Sequence, residues 1–439
     1  MNIPTKRLSL KLLCLASLPV ILMGCGGSSS ETYPANTVKE ESLGVIDARQ
    51  ITLGGLMGGG STYTVVDWGD GTTEEVNGGG QRSHSYEGSY SGDISLTTHC
   101  YAPCNTTIDI SGNVTIDTSG LANTSPSRLS VSGVTAFTGS LSNLPRSIND
   151  LAISAESLEG NLADLPPNLT SLILRNDGNE KISGSIASLP SSIEFLELYS
   201  TEYFIGELAD LPSSVKSVHL SRNTLSGRLS ELNRSLVSVY IYNVTLKEQG
   251  DNLYDLPPNL TSLGLDKWTV TGDISALPRT LKHLDIIDGN AVYGTISELP
   301  ASLTSLTLGN GFNLTGEYSQ LPRKLTSLSL GQDVMVGGHM EDLPNTLTSF
   351  TWYDAVSPTQ PVTKLPNGLR SVRLFSKTET FTSDNVNAVL NALDVNGLSS
   401  DNTYGDLSVT LAGDSMEAAT EQGTVDSLTN KGWTVDVKR

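Results

Sequence analysis

Histidine is scarce in this chain. Its five copies, His84, His99, His219, His283 and His339, are scattered over 439 residues, and none takes the HExxH spacing of a zinc protease. A GxSxG nucleophile elbow and a Walker-type phosphate loop are also missing. Adjacent acidic pairs such as Glu40-Glu41 and Glu74-Glu75 read as loop residues rather than as carboxylates facing each other across a cleft. No catalytic residue or cofactor is therefore expected, and the chain reads as a non-enzyme. Basic side chains are the minority, 27 against 47 acidic ones. Such a surface repels nucleic-acid phosphates and anionic headgroups, so neither is an expected partner. Four cysteines are too few for a disulfide-built scaffold. The longest apolar run, Leu12 to Met23, is shorter than the roughly 20 residues a spanning helix needs.

What the chain does have is a beat. A Leu-Pro step (Leu-Asn at Leu232) falls at Leu144, Leu165, Leu189, Leu211, Leu232, Leu256, Leu277, Leu299, Leu321, Leu343 and Leu365, 21 to 24 residues apart. The full frame is G-x-[LI]-x-x-L-P-x-x-L-x-x-L-x-L, and a period in this range signals a solenoid. Within a coil, Thr304 to Gly309 alternates so that Leu306 and Leu308 face a core while Ser305 and Thr307 face outward. Proline cannot donate to a strand ladder and belongs at the bend. No coil buries its leucines alone; stacked coils bury them against each other, giving a parallel sheet along one face.

This frame resembles the leucine-rich repeat family, whose core reads LxxLxLxxN and appears here as Val215, Val218, Leu220 and Asn223. The Gly-x-Ile element of Gly184 to Ile186 is similar to its plant-like subclass, and Leu165 to Leu172 to its bacterial one. The resemblance implies a mainly β solenoid over 109–381, with parallel β on the concave face and an irregular convex side. The departure is the stacked Asn: Asp177, Thr201, Asp333 and Lys377 stand in its place, so the corner after the strand must be satisfied by other groups.

Residues 1–25 carry Lys6, Arg7 and Lys11, then the apolar run, then Gly24-Cys25. Leu22 to Cys25 resembles the bacterial lipoprotein signal, which implies that Cys25 is lipidated and 26–42 is a flexible tether, starting with the small residues Gly26 to Ser30. The alternative is an ordinary secretory leader with an incidental Cys. The absence of Asp at position 26 implies, by the same resemblance, an outer-membrane or cell-surface location. In an exported chain Cys100 and Cys104 read as a disulfide; a metal site with His99 is the alternative.

Between tether and coils, Val66 to Thr72 (ValAspTrpGlyAspGlyThr), His84-Ser-Tyr86 and Gly88-Ser-Tyr90 resemble the PKD-like β-sandwich, implied over 43–108. Asp67, Asp70, Glu74 and Glu75 either bond their own turn amides or hold calcium. Beyond the last coil, 382–439 reads as an α/β cap: a helix begun by Ser383-Asp384, a strand Leu407 to Leu411, a helix from Met416 to about Lys431 and a strand Trp433 to Val437. It would cover the apolar edge of the final coil, and Lys431 to Val435 is similar to endings of bacterial leucine-rich-repeat proteins.

Aligning the coils gives three outward residues per strand. The first column is mostly serine: Ser171, Ser217, Ser238, Ser262, Ser305, Ser327, Ser349 and Ser371. In the middle coils Phe195, Glu197, Tyr199, His219, Tyr240 and Tyr242 fall on adjacent strands about 4.8 Å apart. Clustered exposed aromatics suit a protein or glycan ligand; alternatively the rings only cover the sheet. The expectation is an envelope-anchored binding or adhesion lipoprotein. An accessory protein of polysaccharide processing and an architectural envelope protein are the alternatives.

Overall fold

The computed structural model describes residues 36–437, apart from 57–60, 78–79, 102–103, 155–156, 176–180, 200–202, 245–250, 267–269, 289–290, 332–333, 354–361, 378–380, 401–406 and 415–416. Cys25 and most of the proposed tether thus lie outside the described residues, as do Asp177, Thr201 and Asp333. The described residues from Arg128 onward form a parallel-β solenoid of leucine-rich coils. One parallel strand per coil joins a sheet that has 19 strands among the described residues.

The coil around Leu299 shows how the frame dictates its path. Gly294 sits at φ +126°, where a Cβ would press within 2.9 Å of Ile274 in the coil before. A single 3-10 turn, Ile296–Glu298, follows, and Glu298 accepts the Thr295 N–H at 3.1 Å. Leu299 is extended, as a residue before proline must be. The Pro300 carbonyl accepts from Leu303 N at 3.1 Å, closing a turn that delivers the chain to strand Ser305–Asn310. Leu299, Leu303, Leu306 and Leu308 are all buried.

The turn caps account for part of the acidic excess. Asn161, Asn252 and Asp273 accept the amide two residues on. Where the leading side chain is unsuited, an acid at the third position bonds back to its amide, as with Asp210 and Glu231. A carboxylate at the start of a helical turn also meets the exposed N–H groups favourably.

Hydroxyls bond the coils to one another at the Leu-Pro turn that leads into the strand, not at the corner after it where the asparagine stands. Asn223 itself is buried and donates to Leu198 O at 3.1 Å. Elsewhere Ser192, Ser214, Ser302 and Thr346 donate to carbonyls of the coil before at 2.5–2.6 Å. Thr304, Thr326 and Thr348 do the same one turn later at 3.0–3.1 Å. In the same turn Arg146, Arg234, Arg279 and Arg323 clamp carbonyls of the next coil. Lys377 is exposed.

The N-terminal strands begin before the expected bounds 43–108 and run on into the coils. Strands β1 (Asn36–Gly54), β2 (Ser61–Asp67), β3 (Thr73–Val76), β4 (Arg82–Tyr101) and β5 (Thr107–Asp117) pair in the order β3-β2-β4-β1-β5 within one antiparallel sheet. β5 then pairs in parallel with β6 (Arg128–Thr138), and β6 with β7 (Asp150–Ser154), so this sheet runs straight into the coils. Register shifts between Val45 and Gln50 bend the 19-residue β1. β1 begins at Asn36, inside the expected tether. It also carries Glu40 and Glu41, while Glu74 and Glu75 are in β3, so these pairs are strand residues and not loop residues. Glu41 is buried, accepting Ser125 N at 2.7 Å and facing Lys39 at 3.3 Å.

In the turn before β3, Asp67 and Asp70 accept the Gly69 and Thr72 amides. Asp70 also meets the Thr72 hydroxyl and His84 Nε2, which together hold its carboxyl down at about 2. Cys100 and Cys104 are joined, with Cα atoms 5.4 Å apart, where β4 ends, and His99 stacks on Tyr63. Among the described residues no group of three or more His, Cys, Asp or Glu is placed to hold a metal ion.

The C-terminal segment continues the same sheet. Strand Leu407–Ala412 pairs in parallel with Ser371–Phe375, and Trp433–Val437 pairs in parallel with Leu407–Ala412. Helices α1 (Ser383–Asn396) and α2 (Gln422–Asn430) replace the 3-10 turns. Thr382, one residue before the expected cap, accepts Asn385 N, and α2 is shorter than the sequence pattern suggests.

Candidate ligand-binding face

Strands Ser171–Arg175, Phe195–Tyr199, Ser217–Ser221, Ser238–Tyr242 and Ser262–Leu265 lie side by side in exact register. That register aligns Glu197 with His219, His219 with Tyr240, and Tyr240 with Gly264, all pointing away from the leucine core. Five of the six proposed residues come together here: Glu197, Tyr199, His219, Tyr240 and Tyr242. Phe195, 37% exposed, stands on the same face between Ser171 and Ser217.

Glu197 differs from the expectation of an open side chain: only 7% of it is exposed. A carboxylate that dry requires a partner, and Arg175, paired across from Tyr199, reaches diagonally to it at 2.7 Å. The rings of His219, Tyr240 and Tyr242 form a triangle with centroids 5.7–6.0 Å apart. Tyr240 and Tyr242 lie over Gly264, where any Cβ would collide with both rings. Tyr242 spans that bare strand and donates to Asp285 Oδ2 at 3.1 Å. Burial raises the Tyr242 phenol and keeps it a donor; burial also raises the Asp285 carboxyl, against the Tyr242 bond. Burial lowers His219, outweighing the nearby Glu197 charge, so the imidazole is neutral near pH 7. Arg222 sits 5.6 Å over the Tyr199 ring.

Alongside the Arg175 end runs a shallow groove of about 200 Å³ floored by small side chains, among them Ser130, Ser132, Ala152 and Ser154. Arg175, Arg222, Gly264 and Asp285 are members the sequence reading missed. Gly264 and Asp285 extend the Glu197–His219–Tyr240 column by two strands, and continuing the alignment that far would have found them.

Residues 161–200 and 294–333 match the FNIP repeat family. The coil is similar to an FNIP repeat. The first match ends on the Phe195–Tyr199 strand of the tyrosine face, and the second spans two further strands of the same sheet. No curated protein matches the chain. Among solved structures it is similar to the plant peptide hormone receptor RGFR1 in complex with RGF2, at 17% identity and a TM-score of 0.35, covering 74% of this chain and 62% of that one.

Proposed function

We propose that the chain is a non-catalytic recognition protein of a bacterial cell envelope. It is held by lipid on Cys25 and binds a protein or glycan ligand on the outward face of its parallel sheet. The observation that carries this reading is the tyrosine face: the Arg175–Glu197 ion pair and the three packed rings of His219, Tyr240 and Tyr242 on four successive strands, with Tyr242 bonded to Asp285 two strands further on. Side chains already fixed by mutual contacts lose little entropy when a ligand arrives. Rings that are half-exposed still offer apolar area to it.

The test is a glycan and surface-protein array with the mature chain, repeated with Tyr199→Ala combined with Tyr240→Ala. The expected result is a ligand whose binding the double variant loses while its melting temperature stays within a few degrees. A ligand bound equally by both proteins would overturn the site. For the anchor, Cys25→Ser should move the protein from the membrane to the soluble fraction; unchanged fractionation would reject lipidation.

A further inference from the structure

Further along the same sheet, the residue following the last buried leucine-type position of each strand reads Ile287, Gly309, Gly331, Tyr353 and Phe375 on five adjacent strands. The two glycines are demanded by the backbone. A Cβ on Gly309 would run into the Ile287 carbonyl, and one on Gly331 into that of Gly309. Close coil stacking thus leaves two neighbouring strands bare at this row. The result is a slot of about 410 Å³ whose glycine floor lies between Ile287 and Tyr353, with Phe375 and Lys377 lining it beyond Tyr353. Three strand spacings separate Ile287 from Tyr353, roughly 14 Å.

Phe375 stacks on one face of Tyr353, with centroids 4.8 Å apart and planes within 5°. Tyr353, a residue 41% exposed, and Phe375 both line the slot. Above the floor the rim is neutral and hydrogen-bonding: the Thr307 and Ser329 hydroxyls and the Asn310 amide. Among the described lining residues none is a carboxylate, and Lys377 is the charged one.

We propose that this slot binds a pyranose ring of an uncharged polysaccharide. Such a ring carries apolar C–H faces and a hydroxyl edge. It can stand on the glycine floor with one face about 4 Å from Tyr353 and its hydroxyls against Thr307, Ser329 and Asn310. An aromatic peptide side chain would fit the ring face but would desolvate those rim groups without pairing them, which costs affinity. An anionic polymer meets the field of a chain carrying net charge −20. The slot is separate from the tyrosine face, and neither reading depends on the other.

The experiment titrates the full chain with cellohexaose, mannohexaose and xylohexaose, and in parallel with short tryptophan- and phenylalanine-containing peptides, by calorimetry and saturation-transfer NMR. One hexasaccharide should bind saturably. Tyr353→Ala should weaken it about tenfold or more. Ser329→Phe, which fills the slot from the outward side and removes no buried group, should do the same, while Tyr254→Ala, at an exposed 3-10 turn outside both sites, leaves binding unchanged. If Tyr353→Ala does not fold, Ser329→Phe decides alone. The proposal is overturned if no hexasaccharide saturates, if binding survives Ser329→Phe or is lost with Tyr254→Ala, or if only the peptides compete for the slot.

Discussion

At the scale of single residues, the outward face works by contrast between what is buried beside it and what is left out. Glu197 and Asp285 are carboxylates drawn into the sheet surface, and each is tolerated because Arg175 or Tyr242 reaches it. His219 lies between them with its proton affinity lowered by burial, and this has a consequence for stability. In the unfolded chain an imidazole titrates near 6.5, so below that pH the unfolded state holds a proton the folded one resists. Stability therefore falls as pH drops from about 6.5 through the lowered folded value. His219→Gln should flatten part of that fall. Melting curves at pH 7.5 and 5.5 would show the difference between wild type and variant, and identical pH dependence would contradict it. These residues were legible as a column of outward positions. The diagonal Arg175 bond and the Tyr242 reach over Gly264 were not, because both skip the nearest cross-strand neighbour.

At the scale of the element, the repeating unit is a strand, a Leu-Pro turn and a capped 3-10 turn, and its core was readable because leucine recurs with both periods that the unit requires. Leu306 and Leu308 are buried and Thr307 faces outward on the strand between them. Leu306→Ala should accordingly cost on the order of 2–5 kcal/mol, against well under 1 kcal/mol for Thr307→Ala. Denaturant titration of both variants measures this, and equal costs would mean the strand faces the other way. The corner was less legible. Its missing asparagine was plain from the sequence, but the bonds between coils concentrate at the Leu-Pro turn before the strand, divided between Ser or Thr at two frame positions and arginine at a third. Each of these residue types looks like ordinary surface until the coils are stacked.

At the scale of the whole described chain, the antiparallel strands, the coils and the α/β segment share one sheet. The C-terminal continuation could be anticipated from a solenoid's need to cover its last leucines, and the strand at Trp433–Val437 was placed correctly. The N-terminal junction could not. Local turn chemistry at Trp68 to Thr72 suggests a separate module, whereas the pairing of β5 with β6 is fixed by contacts distant in sequence. One continuous sheet presents one long outward side; two further sheets of short parallel strands, among them Val270–Asp273, Ala291–Thr295 and Asn313–Glu317, run beside the 3-10 turns.

The central claim is that ligand sits on that outward side, and hydroxyl-radical footprinting of the chain with its array-identified ligand tests it most directly. Tyr254 and Tyr293, 67% and 51% exposed in a 3-10 turn and a short strand, provide internal controls. The expected result is protection of Phe195, Tyr199, His219 and Tyr240 with Tyr254 and Tyr293 unchanged; protection of Tyr254 and Tyr293 with the tyrosine face still reactive would contradict the account.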